Sequence, residues 1–148
     1  MHTDKQIVET ALRTIDQEAN ALLNLKQYVG PDLAKIVRLI AKSKGRLIIT
    51  GIGKSANIAN KMVATFNSTG TPSVFMHAAD AIHGDLGIIQ DDDIVMCISK
   101  SGNTPEIKVL VPLIRSFSNP LIGMVSDADS YLGRNADYLL RATVSKEA

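Results

Sequence analysis

The sequence is poor in the features that mark secreted, metal-binding and membrane proteins. It holds one cysteine in 148 residues, Cys97, so neither a disulfide framework nor a cysteine-based metal site can form within one chain. No stretch approaches the roughly 18 apolar residues of a membrane-spanning helix, and the amphipathic, acidic N-terminus lacks the apolar core of a signal peptide. These absences predict a cytoplasmic, reducing location with no membrane partner.

Charge of one dominant sign is also missing. Sixteen basic and 15 acidic residues give a net charge of +1, so no broad basic field indicates a nucleic-acid partner. Apolar residues make up 45% and charged residues 21%, which is typical of a globular protein. The length favours one domain, large enough to bury a core without disulfides or metals.

Two helices are predicted at the N-terminus. Apolar residues recur at spacings of three and four through residues 5–29, and Gly30 ends that helix. Pro31 opens a second helix, which Gly45 stops. Both carry apolar faces beyond those that one α/β sandwich needs, so residues 1–44 are expected to mediate homo-oligomerisation.

The remainder, residues 45–148, alternates between short apolar runs and helical segments. Helices are predicted at about 56–66, at 104–117 and within SYLGRNA; the segment AADAIHGDLG has no clear class. Near-continuous apolar strands indicate a parallel sheet that is covered on both faces. This alternation of five strands with helices predicts a flavodoxin-like αβα sandwich with strand order 2-1-3-4-5. The predicted strands are residues 46–50, 72–77, 93–99, 120–126 and 138–144.

In that order the first and third strands are neighbours, and the chain reverses direction between them. Ligands of such sheets bind at this switch point, beyond the carboxyl ends of the strands. The loops that follow these two strands are GIGKS and SKSGNT, the two richest in glycine and serine. Topology and composition therefore indicate the same place for a site.

The GIGKS loop combines backbone freedom with a hydroxyl and a cation. Gly51 and Gly53 let a ligand approach the backbone closely, Ser55 offers a hydroxyl at a helix N-terminus, and Lys54 adds positive charge. The spacing matches neither a Walker loop nor GxGxxG. A tight turn with Ser55 as N-cap and Lys54 in solvent is the structural alternative.

The SKSGNT loop predicts phosphate binding more specifically. Ser99, Ser101 and Thr104 place three hydroxyls within six residues, around Gly102, at the start of a helix. Neutral hydroxyls and backbone N–H groups suit a phosphate ester that must be bound and released.

Helix capping is the alternative for the same residues. Asn103 and Glu106 fit a capping box, and Thr104 before Pro105 fits an N-cap with proline at the first helical position. One cap would be enough, so three hydroxyls and an Asn exceed what capping requires.

Three ionisable residues are candidates for proton transfer. Glu106 could act as a base beyond the phosphate or could simply complement the helix dipole. His83 could shuttle protons or be a hydrogen-bonded turn residue. Glu147, by composition alone, is a charge near the end of the sequence.

Together GIGKS, KMVATFNSTGTPSVFMHAADAIHGDLG, SKSGNTPEI and VSKEA resemble the sugar isomerase (SIS) domain, and more narrowly the arabinose-5-phosphate isomerases. The segment FNSTGTPSVFMHAADAIHGDLG is the specific part, since the SxSGxT loop alone indicates only the superfamily. The resemblance implies a flavodoxin-like sandwich that assembles as a dimer of dimers. It also implies interconversion of ribulose 5-phosphate and arabinose 5-phosphate for synthesis of the octulosonate sugar Kdo, without metal or redox cofactor.

The resemblance also assigns residues. It implies catalytic roles for Lys54, Glu106, His83 and Glu147, with Glu106 as the base that forms an enediol. The implied substrate-binding residues, which include the phosphate loop, are Gly53, Ser55, Ser99, Ser101, Gly102, Asn103 and Thr104. An activated Kdo nucleotide sugar is hypothesised to occupy the same cleft as an inhibitor, because Lys54, Lys100 and the hydroxyls offer more donors than one phosphate uses.

The sequence departs from the family pattern in three places. Ala56-Asn57 stands where the family often has Gly-His, and Lys100 stands where it often has Asn. The family continues past KEA into a further helix and an HPGG histidine, so this C-terminal part of the site and any CBS module are expected to be absent here. A non-catalytic sugar-phosphate sensor and another sugar-phosphate isomerase are the alternative functions.

Overall fold

The computed structural model describes residues 2–144, which form an α/β sandwich. The strands are β1 (Leu47–Gly51), β2 (Ser73–His77), β3 (Ile94–Ile98), β4 (Leu121–Val125) and β5 (Tyr138–Arg141). The α-helices are α1 (Asp4–Asn24), α2 (Pro31–Lys42), α3 (Lys54–Ser68), α4 (Ala78–Ile82), α5 (Pro105–Arg115) and α6 (Tyr131–Asn135). Two 3-10 turns, Leu25–Tyr28 and Asp85–Ile88, complete the regular structure of this part of the chain.

All five strands pair in parallel, in the order β2-β1-β3-β4-β5. This confirms the predicted flavodoxin-like topology. Gly51 at the end of β1 lies opposite both His77 of β2 and Ile98 of β3. The carboxyl ends of these three strands are therefore level, and the loops that follow them share one edge of the sheet.

The sheet separates two apolar layers, as the period of two along a strand requires. Ile48 of β1 faces the layer formed with α4, α5 and α6, whereas Leu47 and Ile49 face the layer formed with α2 and α3. Every residue of β1 and β3 is buried. This complete burial explains why both strands have continuous apolar runs instead of alternating ones.

Helix α1 begins at a capping box in which Thr3 and Gln6 each bind the other's backbone amide. The prediction of one helix over residues 5–29 is wrong at its C-terminal end, because α1 ends at Asn24 and tightens into a 3-10 turn. Tyr28 in that turn packs under the Arg141 guanidinium, 4.7 Å from the ring centroid, which fixes the turn against β5.

At the amino end of the sheet, an ion pair joins the starts of β1 and β3. The Asp93 carboxylate is 1% exposed and accepts hydrogen bonds from the Arg46 guanidinium at 2.6 Å and the Arg46 amide at 2.7 Å. Gly45 allows this approach, since a Cβ there would lie 2.2 Å from the Asp92 carbonyl oxygen.

Several predicted boundaries also differ from the observed ones. Strand β5 ends at Arg141 instead of residue 144, and the Thr143 hydroxyl then donates to the Ser126 carbonyl. Helix α3 is longer than the predicted 56–66, and the unclassified segment AADAIHGDLG forms α4 and the second 3-10 turn. None of the helices within residues 2–144 has the length and apolarity to cross a bilayer.

Candidate functional site

A polar cleft of about 600 Å³ opens at the carboxyl edge of the sheet, between the loops that follow β1 and β3. This is the topological switch point that the strand order predicts. Hydroxyls from both loops line it, together with residues that follow β4. The lining residues are Ile52, Ser55, Ser99, Lys100, Ser101, Asn103, Thr104, Ser126 and Asp127.

The GIGKS loop delivers the N-terminus of α3 to this cleft. Gly53 precedes the helix with φ 57° and ψ −128°, a conformation that favours glycine, and it supplies no capping side chain. The alternative in which Ser55 is the N-cap is therefore wrong: Ser55 is the second residue of α3, and its hydroxyl lines the cleft. Lys54, the first residue of the helix, is exposed beside it.

The SKSGNT loop is held in a tight turn by its own serines. Ser99 is 3% exposed, and its hydroxyl oxygen accepts a bond from the Gly102 amide at 3.1 Å. The Ser101 oxygen accepts from the Asn103 amide at 3.3 Å. Both bonds use the serine oxygens as acceptors, so each O–H proton can still be directed toward a ligand.

Thr104 occupies the N-cap position of α5, but its side chain does not cap the helix. The Oγ1 atom is buried and has no hydrogen-bond partner among the described residues. A buried hydroxyl without a partner is costly. Thr104 also lines the cleft, so this unsatisfied hydroxyl belongs to its wall.

Asn103 has a structural role instead of a capping role. Its amide nitrogen donates to the Ser101 carbonyl at 3.0 Å, and its amide oxygen accepts from the Tyr131 backbone at 2.9 Å. The predicted capping box with Glu106 is therefore not formed. Asn103 ties the loop to the first turn of α6, so α6 helps to fix the position of the loop.

The electrostatics of the cleft favour an anion on one side. The N-termini of α3 and α5 both point to it, neither with a side-chain cap, and such ends carry partial positive charge. Lys100 adds a cation. Ser126 and Asp127 line the side that follows β4, where the Ser126 amide donates to the Lys100 carbonyl at 3.0 Å, and their side-chain oxygens suit the hydroxyls of a polyol.

Ser126 and Asp127 were not predicted from the sequence. They directly follow β4, which neighbours β3, so the rule that places ligands beyond the carboxyl ends of strands could have identified them. Their loop was overlooked because it has no glycine and only one hydroxyl before Asp127.

Within residues 2–144, none of the predicted catalytic residues is among those that line this cleft. Glu106 is the second residue of α5, directly beyond Thr104 and Pro105, and it is partly exposed. His83 is exposed at the end of α4, beyond the neighbouring strand β2. Glu147 lies outside the described residues.

No group of three or more His, Cys, Asp and Glu side chains that could hold a metal ion occurs within residues 2–144. Cys97 is fully buried in β3, and burial raises the pKa of its thiol to about 12. The thiol is therefore neutral and does not face the cleft as a nucleophile.

A larger cleft, of about 680 Å³, lies at the opposite end of the sheet beside α2. Its lining mixes Lys35 and Lys42 with the carboxylates of Asp91 and Asp92. Ligands of this fold bind at the carboxyl edge, and the mixed charges suit a phosphate less well than hydroxyls and helix N-termini do. We therefore take the switch-point cleft as the candidate site.

Fold and cleft together define a doubly wound α/β domain with a polar site at its switch point. The SIS domain family model matches residues 39–148. The chain therefore belongs to the SIS domain family.

Curated proteins are similar to this chain over almost its whole length. The arabinose 5-phosphate isomerase KdsD of Pseudomonas aeruginosa is 41% identical over 148 residues, which is 100% of this chain and 45% of that protein. The arabinose 5-phosphate isomerase KpsF of Escherichia coli is 40% identical over 145 residues, which is 97% of this chain and 44% of that protein. The chain thus spans less than half the length of these curated relatives.

Among solved structures, a protein of Escherichia coli CFT073 in complex with arabinose 5-phosphate superimposes with a TM-score of 0.90. It is 32% identical in sequence, and the alignment covers 99% of this chain and 78% of that one.

Proposed function

We propose that this protein interconverts D-ribulose 5-phosphate and D-arabinose 5-phosphate. The observation that carries the proposal is the switch-point cleft, with its hydroxyls, two uncapped helix N-termini and the unpartnered Thr104 hydroxyl. The names of the 41% and 40% identical relatives support this substrate pair. Support also comes from the arabinose 5-phosphate complex of the 32% identical structure.

The phosphate of the sugar is proposed to occupy the side of the cleft formed by Ser55, Ser99, Ser101 and Thr104. Hydrogen bonds from hydroxyls and helix amides to a charged phosphate are stronger than bonds between neutral groups. Gly53 and Gly102 shape the two loops without adding side chains. The sugar chain would then extend toward Ser126 and Asp127.

The chemistry is a proton transfer between two carbons. A base removes a proton from C1 of ribulose 5-phosphate, and the electron pair moves into a C1–C2 double bond while negative charge develops on O2. A proton moves from O1 to O2, and return of a proton to C2 gives arabinose 5-phosphate. No oxidant or reductant is consumed, so atoms and electrons balance within the substrate.

We assign Glu106 as the base and Lys54 as the cation that neutralises the developing oxyanion. Both residues lie in the first turns of the helices that flank the cleft, next to Thr104 and Ser55. His83 is proposed to assist ring opening or proton relay, in contact with a site of a second subunit. Glu147 is the second carboxylate candidate.

The wider setting is also a proposal. The product would feed synthesis of Kdo in the cytoplasm, and the active assembly would be a homotetramer built as a dimer of dimers. An activated Kdo nucleotide sugar would compete with substrate by placing its phosphate near Ser99, Ser101 and Thr104.

The direct test is incubation of the protein with ribulose 5-phosphate and identification of the product by NMR. We expect arabinose 5-phosphate, which differs from ribose 5-phosphate only in configuration at C2. Formation of ribose 5-phosphate would indicate a different isomerase, and binding without conversion would favour the sensor alternative.

The role of Glu106 is tested by Glu106→Gln, which keeps the shape of the side chain and removes the base. Turnover should fall by about 10²–10⁴-fold with binding of arabinose 5-phosphate retained. Asp32→Asn is the matched control, because Asp32 is likewise the second residue of a helix that begins with proline. Equal activity of both variants would remove Glu106 from the mechanism.

A further inference from the structure

Among the described residues, Asp127 is the only acidic one that lines the switch-point cleft. The other polar groups of the lining are hydroxyls, one carboxamide and the Lys100 amine, and the N-termini of α3 and α5 add backbone amides. A carboxylate accepts hydrogen bonds and cannot donate them. Asp127 therefore differs in charge and in hydrogen bonding from the rest of the cleft, and the proposed proton transfer does not use it.

The backbone of Asp127 is held from both sides. Before it, the Ser126 amide donates to the Lys100 carbonyl, which joins this loop to the SKSGNT loop. After it, the Asp127 carbonyl accepts hydrogen bonds from the Ser130 hydroxyl at 2.6 Å and the Ser130 amide at 3.2 Å. Ser130 is 1% exposed and is the N-cap of α6. These bonds fix the position of Asp127 relative to the SKSGNT loop.

The side chain of Asp127 has one oxygen engaged and one available. Its Oδ1 atom accepts a hydrogen bond from the Asp129 amide at 2.9 Å, which orients the carboxylate. Within residues 2–144, Oδ2 has no hydrogen-bond or ion-pair partner. The neighbouring Ser126 donates its hydroxyl to the Ala142 carbonyl at 2.8 Å, so its oxygen can only accept. Both side chains therefore suit a ligand that carries hydroxyl donors.

We propose that Asp127 determines specificity for an open-chain pentose monophosphate. Its Oδ2 atom accepts hydrogen bonds from the sugar hydroxyls, and these bonds are strong because the acceptor is charged. The same charge repels a second phosphate at the other end of the carbon chain, so a bisphosphate binds less well. The inference rests on the proposed function, because its ligand is a pentose phosphate, but it concerns recognition and not proton transfer.

The test compares D-arabinitol 5-phosphate with D-arabinitol 1,5-bisphosphate by calorimetry; neither has a carbonyl group, so the protein cannot isomerise them. Wild type should bind the monophosphate more tightly. Asp127→Asn removes the charge and keeps the oxygen that accepts the Asp129 amide, so the thermal unfolding midpoint should be unchanged. We expect this variant to raise the dissociation constant of the monophosphate about tenfold or more. The ratio of the bisphosphate constant to the monophosphate constant should fall about tenfold or more.

Asp129→Asn is the matched control, because Asp129 is exposed in the same loop and does not line the cleft. It removes the same charge and should leave both dissociation constants within about threefold. An unchanged ratio in Asp127→Asn, or an equal change in both variants, would overturn the inference even if wild type converts ribulose 5-phosphate.

The isomerase activity can fail separately. A wild-type protein that binds the monophosphate and does not convert ribulose 5-phosphate would contradict the proposed activity, while the expected change of ratio in Asp127→Asn would still support the role of Asp127. A wild-type protein that binds neither arabinitol phosphate would overturn both.

Discussion

At the scale of single residues, the hydroxyls of the candidate site differ in their hydrogen bonding. The oxygens of Ser99 and Ser101 accept hydrogen bonds from amides of their own loop, which fixes their positions and leaves each O–H proton to donate. Thr104 is buried without a partner in the described part of the chain. The fold therefore holds two oriented donors and one incompletely satisfied donor at one cleft.

Thr104→Val should separate stability from binding. Removing a buried hydroxyl that has no partner should raise the free energy of unfolding by about 1 kcal/mol. The lost bond to the phosphate should weaken binding of arabinose 5-phosphate by roughly 1.5–3 kcal/mol. Urea unfolding and calorimetry measure the two quantities.

Thr50→Val is the matched control for this substitution. The Thr50 hydroxyl, in the interior of β1, is equally buried and without a partner among residues 2–144, but it does not line the cleft. This variant should gain stability to a similar extent and bind the sugar phosphate normally. Equal binding by both variants would show that Thr104 does not contact the ligand.

At the scale of elements, the conformation of the SKSGNT loop depends on α6. Gly102 adopts φ 62°, and its carbonyl accepts a hydrogen bond from the Leu132 amide at 3.0 Å. A Cβ at this position would lie 2.1 Å from the Ser130 Oγ. Only glycine permits both the turn and the close approach of loop and helix.

Gly102→Ala should therefore destabilise the fold and weaken sugar-phosphate binding together. Positive φ alone costs about 1–3 kcal/mol, and the overlap with Ser130 adds to it. Gly70→Ala is the control, since Gly70 has φ 89° with open space around it, beyond the C-terminus of α3. It should lose stability without losing affinity. Unchanged affinity in Gly102→Ala would mean that the loop conformation does not matter for binding.

The elements also show which features a sequence reveals. Strands β1 and β3 were predictable because short apolar runs that alternate with helical segments are typical of a parallel sheet covered on both faces. The end of α1 at Asn24 could not be predicted from the sequence, because the stacking of Tyr28 on Arg141 joins residues that are far apart in sequence. The role of Asn103 was missed for the same reason: its partner is the Tyr131 backbone.

At the scale of the whole molecule, the amino end of the sheet stabilises the fold while the carboxyl end offers the cleft. Burial opposes ionisation of Asp93. Hydrogen bonds from the Arg46 guanidinium and from the Arg46 and Gln90 amides outweigh it, so the pKa of Asp93 is lowered from 3.8. Because its pKa is lowered in the folded state, ionised Asp93 stabilises the fold fully above its ordinary pKa. This stabilisation is lost as the pH falls through the lowered pKa.

Asp93→Asn should cost about 2 kcal/mol of unfolding free energy at neutral pH, because it leaves Arg46 without its charged partner. The difference from wild type should shrink as pH falls through the lowered pKa, where wild-type Asp93 becomes protonated. Urea unfolding over a pH series measures the difference in unfolding free energy. Asp91→Asn is the control, because Asp91 is a nearby exposed residue. A difference in unfolding free energy that stays constant as the pH is lowered would contradict a stabilising role for ionised Asp93.

Sequence reasoning located the switch-point cleft through topology but could not describe its lining fully. The strand order brought GIGKS and SKSGNT together, and five of the predicted residues line one cleft: Ser55, Ser99, Ser101, Asn103 and Thr104. The sequence could not distinguish the Ser99 and Ser101 hydroxyls, which accept hydrogen bonds within the loop, from the Thr104 hydroxyl, which has no partner among the described residues. That distinction depends on the path of the backbone and on contacts with α6.

The most direct test of the central claim is a titration of the ¹⁵N-labelled protein with arabinose 5-phosphate, followed by amide NMR. The account predicts the largest shifts at residues 52–55, 99–104 and 126–127, the three loops around the switch-point cleft. Shifts confined to the other cleft, near Lys42 and Asp91, with these loops unchanged, would contradict it.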